Sequence, residues 1–302
     1  MKAEQLIEAA RADKSSKARS LVITFMGEIV SVQPERVWLG SIIGTLAAFG
    51  LSERLVRTTC NRLLREGWLQ SCRGGRKSYY HFSEFGARQY QRAAARIYAP
   101  NKPHWDGYWT VMLTGGLKRE VRATLAERLG WLGFGCLNNE VLLRAGFGED
   151  HRGVLQELDV AVPVFRADTD AIGVEVTTLC RDLWAIGSLA KRYKAFINRF
   201  IDVAAEHLTP ELALSIRVLL IHEYRRIVLT DPELPNDLLP SDWAGDTART
   251  LASELYRSVL EPSDRWLSKH LVLQRGSWPV LNATARSRFK AATWSGQLVA
   301  LA

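Results

Sequence analysis

The sequence predicts an α+β protein with an N-terminal winged helix-turn-helix domain, a central ferredoxin-like (split βαβ) domain and a C-terminal helical domain. Three observations lead to this prediction. Two helix signals at residues 37–66 precede a hairpin with a basic turn. Residues 108–168 follow the split βαβ order of strands and helices, and long stretches with helical periodicity fill the last third of the chain.

The excess positive charge of the chain is confined to its first third. The 302 residues have a net charge of +8, and residues 1–99 contain 16 Lys and Arg against 8 Asp and Glu. The remainder contains 24 of each kind and is neutral. A basic segment joined to a neutral one is typical of proteins that bind polyanions, because a basic face attracts phosphates.

Residues 37–50 and 52–66 predict two helices joined by a turn. Gly50 suits the end of the first helix, and Ser52 suits the N-cap of the second. At about 100° per residue, one half of the second helix is its buried side, with Leu55, Val56, Thr59, Cys60, Leu63 and Leu64. The outer arc offers groups that bind guanine, adenine and phosphate, and we predict that it contacts DNA through Arg54, Arg57, Thr58, Asn61, Arg62 and Arg65.

The stretch "CRGGRKSYYHF" at residues 72–82 predicts a hairpin, since the Gly pair indicates a turn and the aromatic residues favour a strand. Helix-turn-helix, strand, basic turn and strand is the order of a winged helix. Arg73, Arg76 and Lys77 are therefore predicted phosphate contacts. The apolar residues of the hairpin are expected to pack on the helices rather than to stack on bases, namely Trp68, Leu69, Tyr80 and Phe82.

The pattern predicts five segments, the first domain boundary being the proline-rich "APNKPHWDG". They are an extension at 1–18, the winged helix at 19–99, the ferredoxin-like domain at 100–175, a helical effector and dimerisation domain at 176–270, and a variable or poorly ordered tail at 271–302. A metal-dependent nuclease-like protein built on the central domain is the alternative. Nucleases of that shape carry an aspartate where this chain has "LTGG", so we predict no catalytic residue, no metal and no enzymatic activity.

Membrane and secreted classes are not expected. The longest uncharged run, residues 37–52, is too short and too polar to span a bilayer. The charged N-terminus lacks the apolar core of a signal peptide, so we expect a cytoplasmic protein. Cys60, Cys72, Cys136 and Cys180 are too widely spaced for a zinc cluster, and we expect four buried thiols in a reducing compartment.

Several separated blocks resemble the PaaX family of phenylacetic acid degradation repressors. They include "VWLGSIIGTLAAFGLSERLVRTTCNRLLREGWL", "GRKSYYHFSEFG", "LGWLGFGCLNNEVLLR" and "RVLLIHEYRRIVLTDPELPNDLLPSDWAG", and they extend from about residue 18 to 267. The resemblance implies a homodimeric repressor that binds double-stranded operator DNA and uses no cofactor. It also implies release by an aryl-acetyl coenzyme A, typically phenylacetyl-CoA.

The cationic residues of the C-terminal third have two competing interpretations. They could pair with acids such as Glu223, Asp231 and Asp242 and hold helices together. They could instead receive the phosphates of an acyl-CoA effector whose aryl end meets aromatic residues. On this second interpretation the effector-binding candidates are Trp184, Lys191, Arg192, Tyr193, Arg217, His222, Arg225 and Arg226.

Overall fold

The computed structural model describes residues 3–12, 18–99, 105–168, 175–204, 208–279 and 282–289. These residues form a mixed α+β structure that is mostly helical and contains two small antiparallel sheets, which confirms the predicted α+β class. The chain divides into two compact units. Unit 1 comprises Met1–Pro100, Ala195–Arg226 and Thr247–Ala302, and unit 2 comprises Asn101–Lys194 and Ile227–Asp246.

The elements of the first hundred residues alternate helices with one sheet. In chain order they are α1 (Ala3–Ala12), α2 (Ala18–Glu28), a short 3-10 helix (Val30–Val32), β1 (Val37–Trp38), α3 (Leu39–Ala47), α4 (Glu53–Arg65), β2 (Leu69–Gly74), β3 (Lys77–Phe82) and α5 (Glu84–Ile97). The helix predicted from residue 37 starts two residues later, because Val37 and Trp38 pair with Tyr80 and Tyr79 of β3. The helix α1 was not predicted, and it buries Leu6 and Ile7.

The remaining elements are a second sheet with its helices, followed by longer helices. They are β4 (Tyr108–Leu113), α6 (Arg119–Gly130), β5 (Gly135–Cys136), β6 (Val141–Ala145), α7 (His151–Glu157), β7 (Val164–Asp168), α8 (Val176–Leu183), α9 (Ile186–Phe200), α10 (Pro210–Val228), a 3-10 helix (Asn236–Leu238), α11 (Ala244–His270) and α12 (Ala283–Ser287).

The first sheet has the strand order β1-β3-β2, and the hairpin β2-β3 runs in register from Leu69 opposite Phe82 to Gly74 opposite Lys77. The turn passes through Gly75, whose φ of +60° favours glycine. Leu69, Tyr80 and Phe82 are buried, as predicted from the hairpin sequence, and Trp68 is half-buried. The hairpin is therefore packed along its strands and exposed at its basic turn.

The second sheet, in unit 2, has the order β5-β6-β4-β7 with every neighbouring pair antiparallel. The first strand in the chain thus lies between the third and the fourth, which is the order expected of a split βαβ sheet. Its core brings Met112 and Leu142 of the sheet against Leu125 and Leu129 of α6. Apolar residues of α7, such as Val154, pack against the same core.

The segment after α11 was predicted as a variable or poorly ordered tail, but its described part packs in unit 1. Leu273 forms a bridge with Val37, and the backbone N–H of Trp38 donates to Val272 O at 2.9 Å. Further along, Trp278 and Phe289 are almost fully buried in unit 1. Their burial was missed because the apolar residues of this segment are too sparse to form a helical or strand pattern. The rest of the predicted tail, residues 290–302, lies outside the described residues.

The cysteine prediction holds in part. Cys60 and Cys180 are buried, and burial raises the pKa of each thiol to about 12. Cys72 is half-buried, whereas Cys136 is exposed on the short strand β5, so the expectation of four buried thiols is wrong for Cys136.

Unit 1 contains residues 1–99 together with parts of the later helices. The predicted division of the chain into five segments stays a prediction.

Candidate nucleic-acid interface

The helix α4 has one buried and one cationic side. Its N-cap is Ser52, whose hydroxyl accepts the N–H of Leu55 at 3.3 Å. Val56, Thr59, Cys60 and Leu63 are buried. Leu55 is a correction, because it is 44% exposed. Leu55 lies about 100° around the helix from Val56, at the margin of the predicted apolar half. The stripe of residues that packs on the rest of unit 1 is narrower than this half.

All nine predicted DNA-binding residues are exposed. On α4 these are Arg54, Arg57, Thr58, Asn61, Arg62 and Arg65, and around the hairpin turn they are Arg73, Arg76 and Lys77. Their exposure follows from the strong amphipathicity of α4 and from the position of the other three residues around a short turn. The predicted outer arc of α4 thus faces away from the core of unit 1.

Two of the four arginines of α4 pair with acids. Arg57 pairs with Glu53 at 2.7 Å, and Arg62 donates to Glu66 Oε1 at 2.7 Å. Hydrogen bonds from Arg19 and then from Arg62 lower the pKa of Glu66 below its usual range. Exposed pairs of this kind stabilise a protein by about 0–1 kcal/mol, so a phosphate can compete for these guanidiniums. Among the described residues, Arg54 has no acidic partner.

The basic turn has an aromatic support that the sequence analysis missed. The Nζ atom of Lys77 lies 4.8 Å from the ring centroid of Trp38, a cation–π contact. Trp38 belongs to β1 and pairs with Tyr79, so its ring is carried by the same sheet as the hairpin. The only sequence signal was an aromatic residue before α3. We conclude that Lys77 is more restrained than Arg73 and Arg76.

Among the effector candidates of unit 2, Trp184 directly follows α8, and Lys191, Arg192 and Tyr193 lie in the middle of α9. Trp184 is half-buried and stacks on the buried Trp109, with ring centroids 6.4 Å apart. Lys191 and Arg192 are exposed, and Arg192 donates to Thr230 Oγ1 at 2.8 Å. Tyr193 is buried and donates its hydroxyl to Asp231 at 2.7 Å.

The effector candidates of unit 1 all lie on α10, and most of them contact residues of other helices in this unit. Arg217 is fully buried between two carboxylates, Glu28 at 2.8 Å and Asp264 at 3.0 Å. A ligand has no access to it, which favours the ion-pairing interpretation for this residue. Its partners are nevertheless different from the three acids predicted. Glu28 could not be predicted from the sequence, because a single acid at the end of an apolar helix has no periodic signal.

The other three candidates of α10 differ in exposure. His222 is buried, with its Nδ1 atom 3.2 Å from Thr24 Oγ1. Arg225 is half-buried and donates to the same hydroxyl at 3.0 Å. Arg226 is exposed and lies 3.8 Å from Glu223, a partner that the ion-pairing interpretation named. Of the eight effector candidates, Lys191, Arg192 and Arg226 are the exposed cations.

Comparison with known proteins identifies the family. The family model described as PaaX-like protein matches residues 17–86, and that described as PaaX-like protein C-terminal domain matches residues 184–269. The transcriptional repressor PaaX of Escherichia coli (strain K12) is 36% identical over 281 residues, which are 89% of each chain. The chain belongs to the PaaX-like family. This confirms the resemblance found in the sequence.

The PaaX relative is a transcriptional repressor rather than an enzyme, and this agrees with the prediction that the present chain has no enzymatic activity. A solved structure, uncharacterized protein Rv0674 from Mycobacterium tuberculosis, matches with a TM-score of 0.55 and 20% identity. The match covers 78% of this chain and 96% of that one, and it supports the fold alone. No helix within the described ranges is both long and apolar enough to cross a bilayer.

Proposed function

We propose that this PaaX-like chain is a cytoplasmic transcriptional repressor that binds double-stranded operator DNA through α4 and the β2-β3 turn. The observation that carries the proposal is the outer arc of α4, with four exposed arginines, Thr58 and Asn61 and with no acid inside the arc. Arg and Asn supply bidentate donors and acceptors for guanine and adenine edges in the major groove. Arg73, Arg76 and Lys77 then contact phosphates beside the groove.

The order of elements supports a division of labour among domains. Residues 19–99 form the winged helix, and residues 100–175, with the strand order β5-β6-β4-β7, form a ferredoxin-like domain. Residues 176–270 form a helical effector and dimerisation domain. A homodimer would place two copies of α4 in successive major grooves, about 34 Å apart along the duplex.

The DNA-binding test compares two double variants on two duplexes. One duplex is the sequence that the full-length wild-type chain selects from a random pool, and the other is its scrambled counterpart. We expect Arg57→Ala with Asn61→Ala to lower the preference for the selected duplex by about 1–3 kcal/mol for each base-reading side chain removed. Arg76→Ala with Lys77→Ala should weaken binding to both duplexes. It should also reduce the salt slope, which is the slope of the logarithm of the binding constant against the logarithm of the salt concentration, by about 2. Fluorescence anisotropy at several KCl concentrations measures both quantities.

The control for this test is Arg152→Ala with Arg181→Ala, which removes two exposed arginines from unit 2. This variant should bind like the wild type. Equal losses in both DNA-binding variants, with an unchanged salt slope, would contradict the assigned roles. A wild-type chain that binds no duplex at low salt would remove the proposed function itself.

We further propose that the repressor controls an aromatic-acid catabolic operon of the phenylacetate type and is released by an aryl-acetyl-CoA such as phenylacetyl-CoA. Lys191 and Arg192 are exposed cations that can meet phosphates, and Trp184 offers an aromatic surface in the same unit. Release follows if the ligand binds preferentially to an arrangement of subunits in which the spacing of the two α4 helices does not match the grooves.

The effector test titrates phenylacetyl-CoA into the complex of the wild-type chain with its selected duplex. We expect the DNA to dissociate, and we expect Lys191→Ala with Arg192→Ala to require a higher ligand concentration because this variant lacks two cations that bind phosphate. Coenzyme A alone is the control for the aryl group. Complete retention of DNA at saturating phenylacetyl-CoA would exclude this inducer while leaving DNA binding intact.

A further inference from the structure

Arg19, which lies on α2 and outside the predicted interface, shares an acid with the cationic arc of α4. Its Nε and Nη2 atoms both donate to Glu66 Oε2, at 3.2 and 2.9 Å. The other oxygen of the same carboxylate accepts Arg62 Nε at 2.7 Å. One carboxylate therefore holds one guanidinium from α2 and one from α4 side by side.

This triplet has a surplus positive charge and open donors. Two guanidiniums and one carboxylate leave a net charge of +1, and the side chains of Arg19 and Arg62 are 42% and 65% exposed. Within the described part of the chain, the Nη1 groups of both arginines donate no hydrogen bond. A phosphate oxygen is the acceptor that such a pair of oriented guanidiniums fits, because charge-assisted bonds to phosphate are short and strong.

The guanidinium of Arg19 is also restrained by an aromatic ring. Its Cζ atom lies 5.5 Å from the ring centroid of Trp68, and the Trp68 ring packs edge-on against Phe85. The two hydrogen bonds to Glu66 Oε2 and the cation–π contact with Trp68 together reduce the rotamer freedom that a long side chain loses on binding. Arg225 adds a further positive charge close by, since it donates to the carbonyl of Ser20 at 3.5 Å.

From this geometry we propose that Arg19 is a further DNA-binding residue, contacting a phosphate next to that bound by Arg62, and that Glu66 is a positioning residue for both. The proposal rests on the proposed DNA-binding function. It extends the interface from α4 and the hairpin turn to a second helix of unit 1. It also gives Glu66, an acid beside a DNA-binding surface, a role other than repelling phosphates.

The test of Arg19 is the salt dependence of binding by the full chain. Arg19→Ala should lower the salt slope by about 1 on both the selected and the scrambled duplex, because one phosphate contact releases about one counterion. Arg19→Gln keeps most of the stem over Trp68 and removes the charge, so it should give the same change. The matched control is Arg128→Ala, which removes an arginine of similar exposure that pairs with Glu157 in unit 2. An unchanged slope in a folded Arg19 variant would overturn the proposal.

The test of Glu66 separates positioning from repulsion. If Glu66 orients the two arginines, Glu66→Gln should weaken binding to both duplexes by roughly 3- to 10-fold, because both arginines contact phosphates. If Glu66 only repels phosphates, the same variant binds both duplexes more tightly, which would overturn the positioning role. Glu157→Gln in unit 2 should leave both affinities unchanged. A wild-type chain that binds no duplex would instead refute the proposed function.

Discussion

Glu28→Ala is expected to destabilise unit 1 by about 3–5 kcal/mol. Glu28 is fully buried, and it accepts Arg217 Nε at 2.8 Å, Arg288 Nη1 at 2.7 Å, Tyr256 OH at 2.7 Å and Tyr98 OH at 2.6 Å. Removing the carboxylate leaves the buried positive charges of Arg217 and Arg288 without one of the acids that pair with them, and an unpaired buried charge costs several kcal/mol. Urea unfolding followed by circular dichroism measures the change.

The control for Glu28 is Glu84→Ala, which removes an exposed acid that also pairs with an arginine, Arg88, at 3.6 Å. It should change the free energy of unfolding by about 0.5 kcal/mol or less. If Glu28→Ala proves as mild as Glu84→Ala, the network does not hold unit 1 together.

The same carboxylate predicts a pH dependence. Burial raises the pKa of Glu28, but the guanidiniums of Arg288 and Arg217 outweigh it and the net pKa is lowered from its ordinary value of 4.5. A group with a lowered pKa in the folded state contributes stability that is fully present above the unfolded value. This contribution should be lost as the pH falls below about 4.5 towards the lowered pKa. The difference between wild type and Glu28→Ala should therefore shrink in acid.

Trp278→Ala is expected to destabilise the chain by about 3–5 kcal/mol, although the residue lies in the segment predicted as a tail. Its ring is 2% exposed, and its Nε1–H donates to Asp264 Oδ1 at 3.1 Å. Truncation leaves a cavity of the size of an indole in the core and removes one of the two donors to Asp264 Oδ1, the other being Arg217. The midpoint of urea unfolding and the melting temperature both report the loss.

Arg275→Ala serves as the control for Trp278, since Arg275 is exposed in the same segment three residues earlier. It should leave the midpoint of unfolding nearly unchanged. A dispensable Trp278, or a chain truncated after residue 270 that keeps wild-type stability, would contradict the structural role assigned to residues 271–279 and 282–289.

The exposed cationic face of α4 was predictable because it depends on local regularity. The 3.6-residue period of α4 places every charged residue of the arc relative to the apolar stripe, whatever that stripe packs against. The Gly pair and the following aromatic residues define the hairpin by turn chemistry, and Gly75 has the positive φ that such a turn needs. Only the margin of the pattern failed, at Leu55, where the width of the contact rather than the period decides burial.

Other features required the tertiary structure. Glu28, Arg217, Asp264 and Arg288 come from four separate parts of the sequence, and no local pattern relates an acid at the end of α2 to arginines 189 and 260 residues away. The pairing of Arg19 with Glu66 is of the same kind, with 47 residues between them. Arg217 was a candidate ligand-binding cation because its acidic partners are distant in the sequence. In the structure it is a buried residue that pairs with Glu28 and Asp264.

The amino-acid sequence by itself determined the cationic arc of α4, the basic hairpin turn and the family, because periodicity, turn chemistry and motif order are properties of neighbouring residues. Only the tertiary structure decided which charges are buried, which arginines share an acid, and that Leu273, Trp278 and Phe289 belong to the core of unit 1. These outcomes depend on which distant residues are brought together to exclude water, and burial sets the energetic value of a charge or an indole ring.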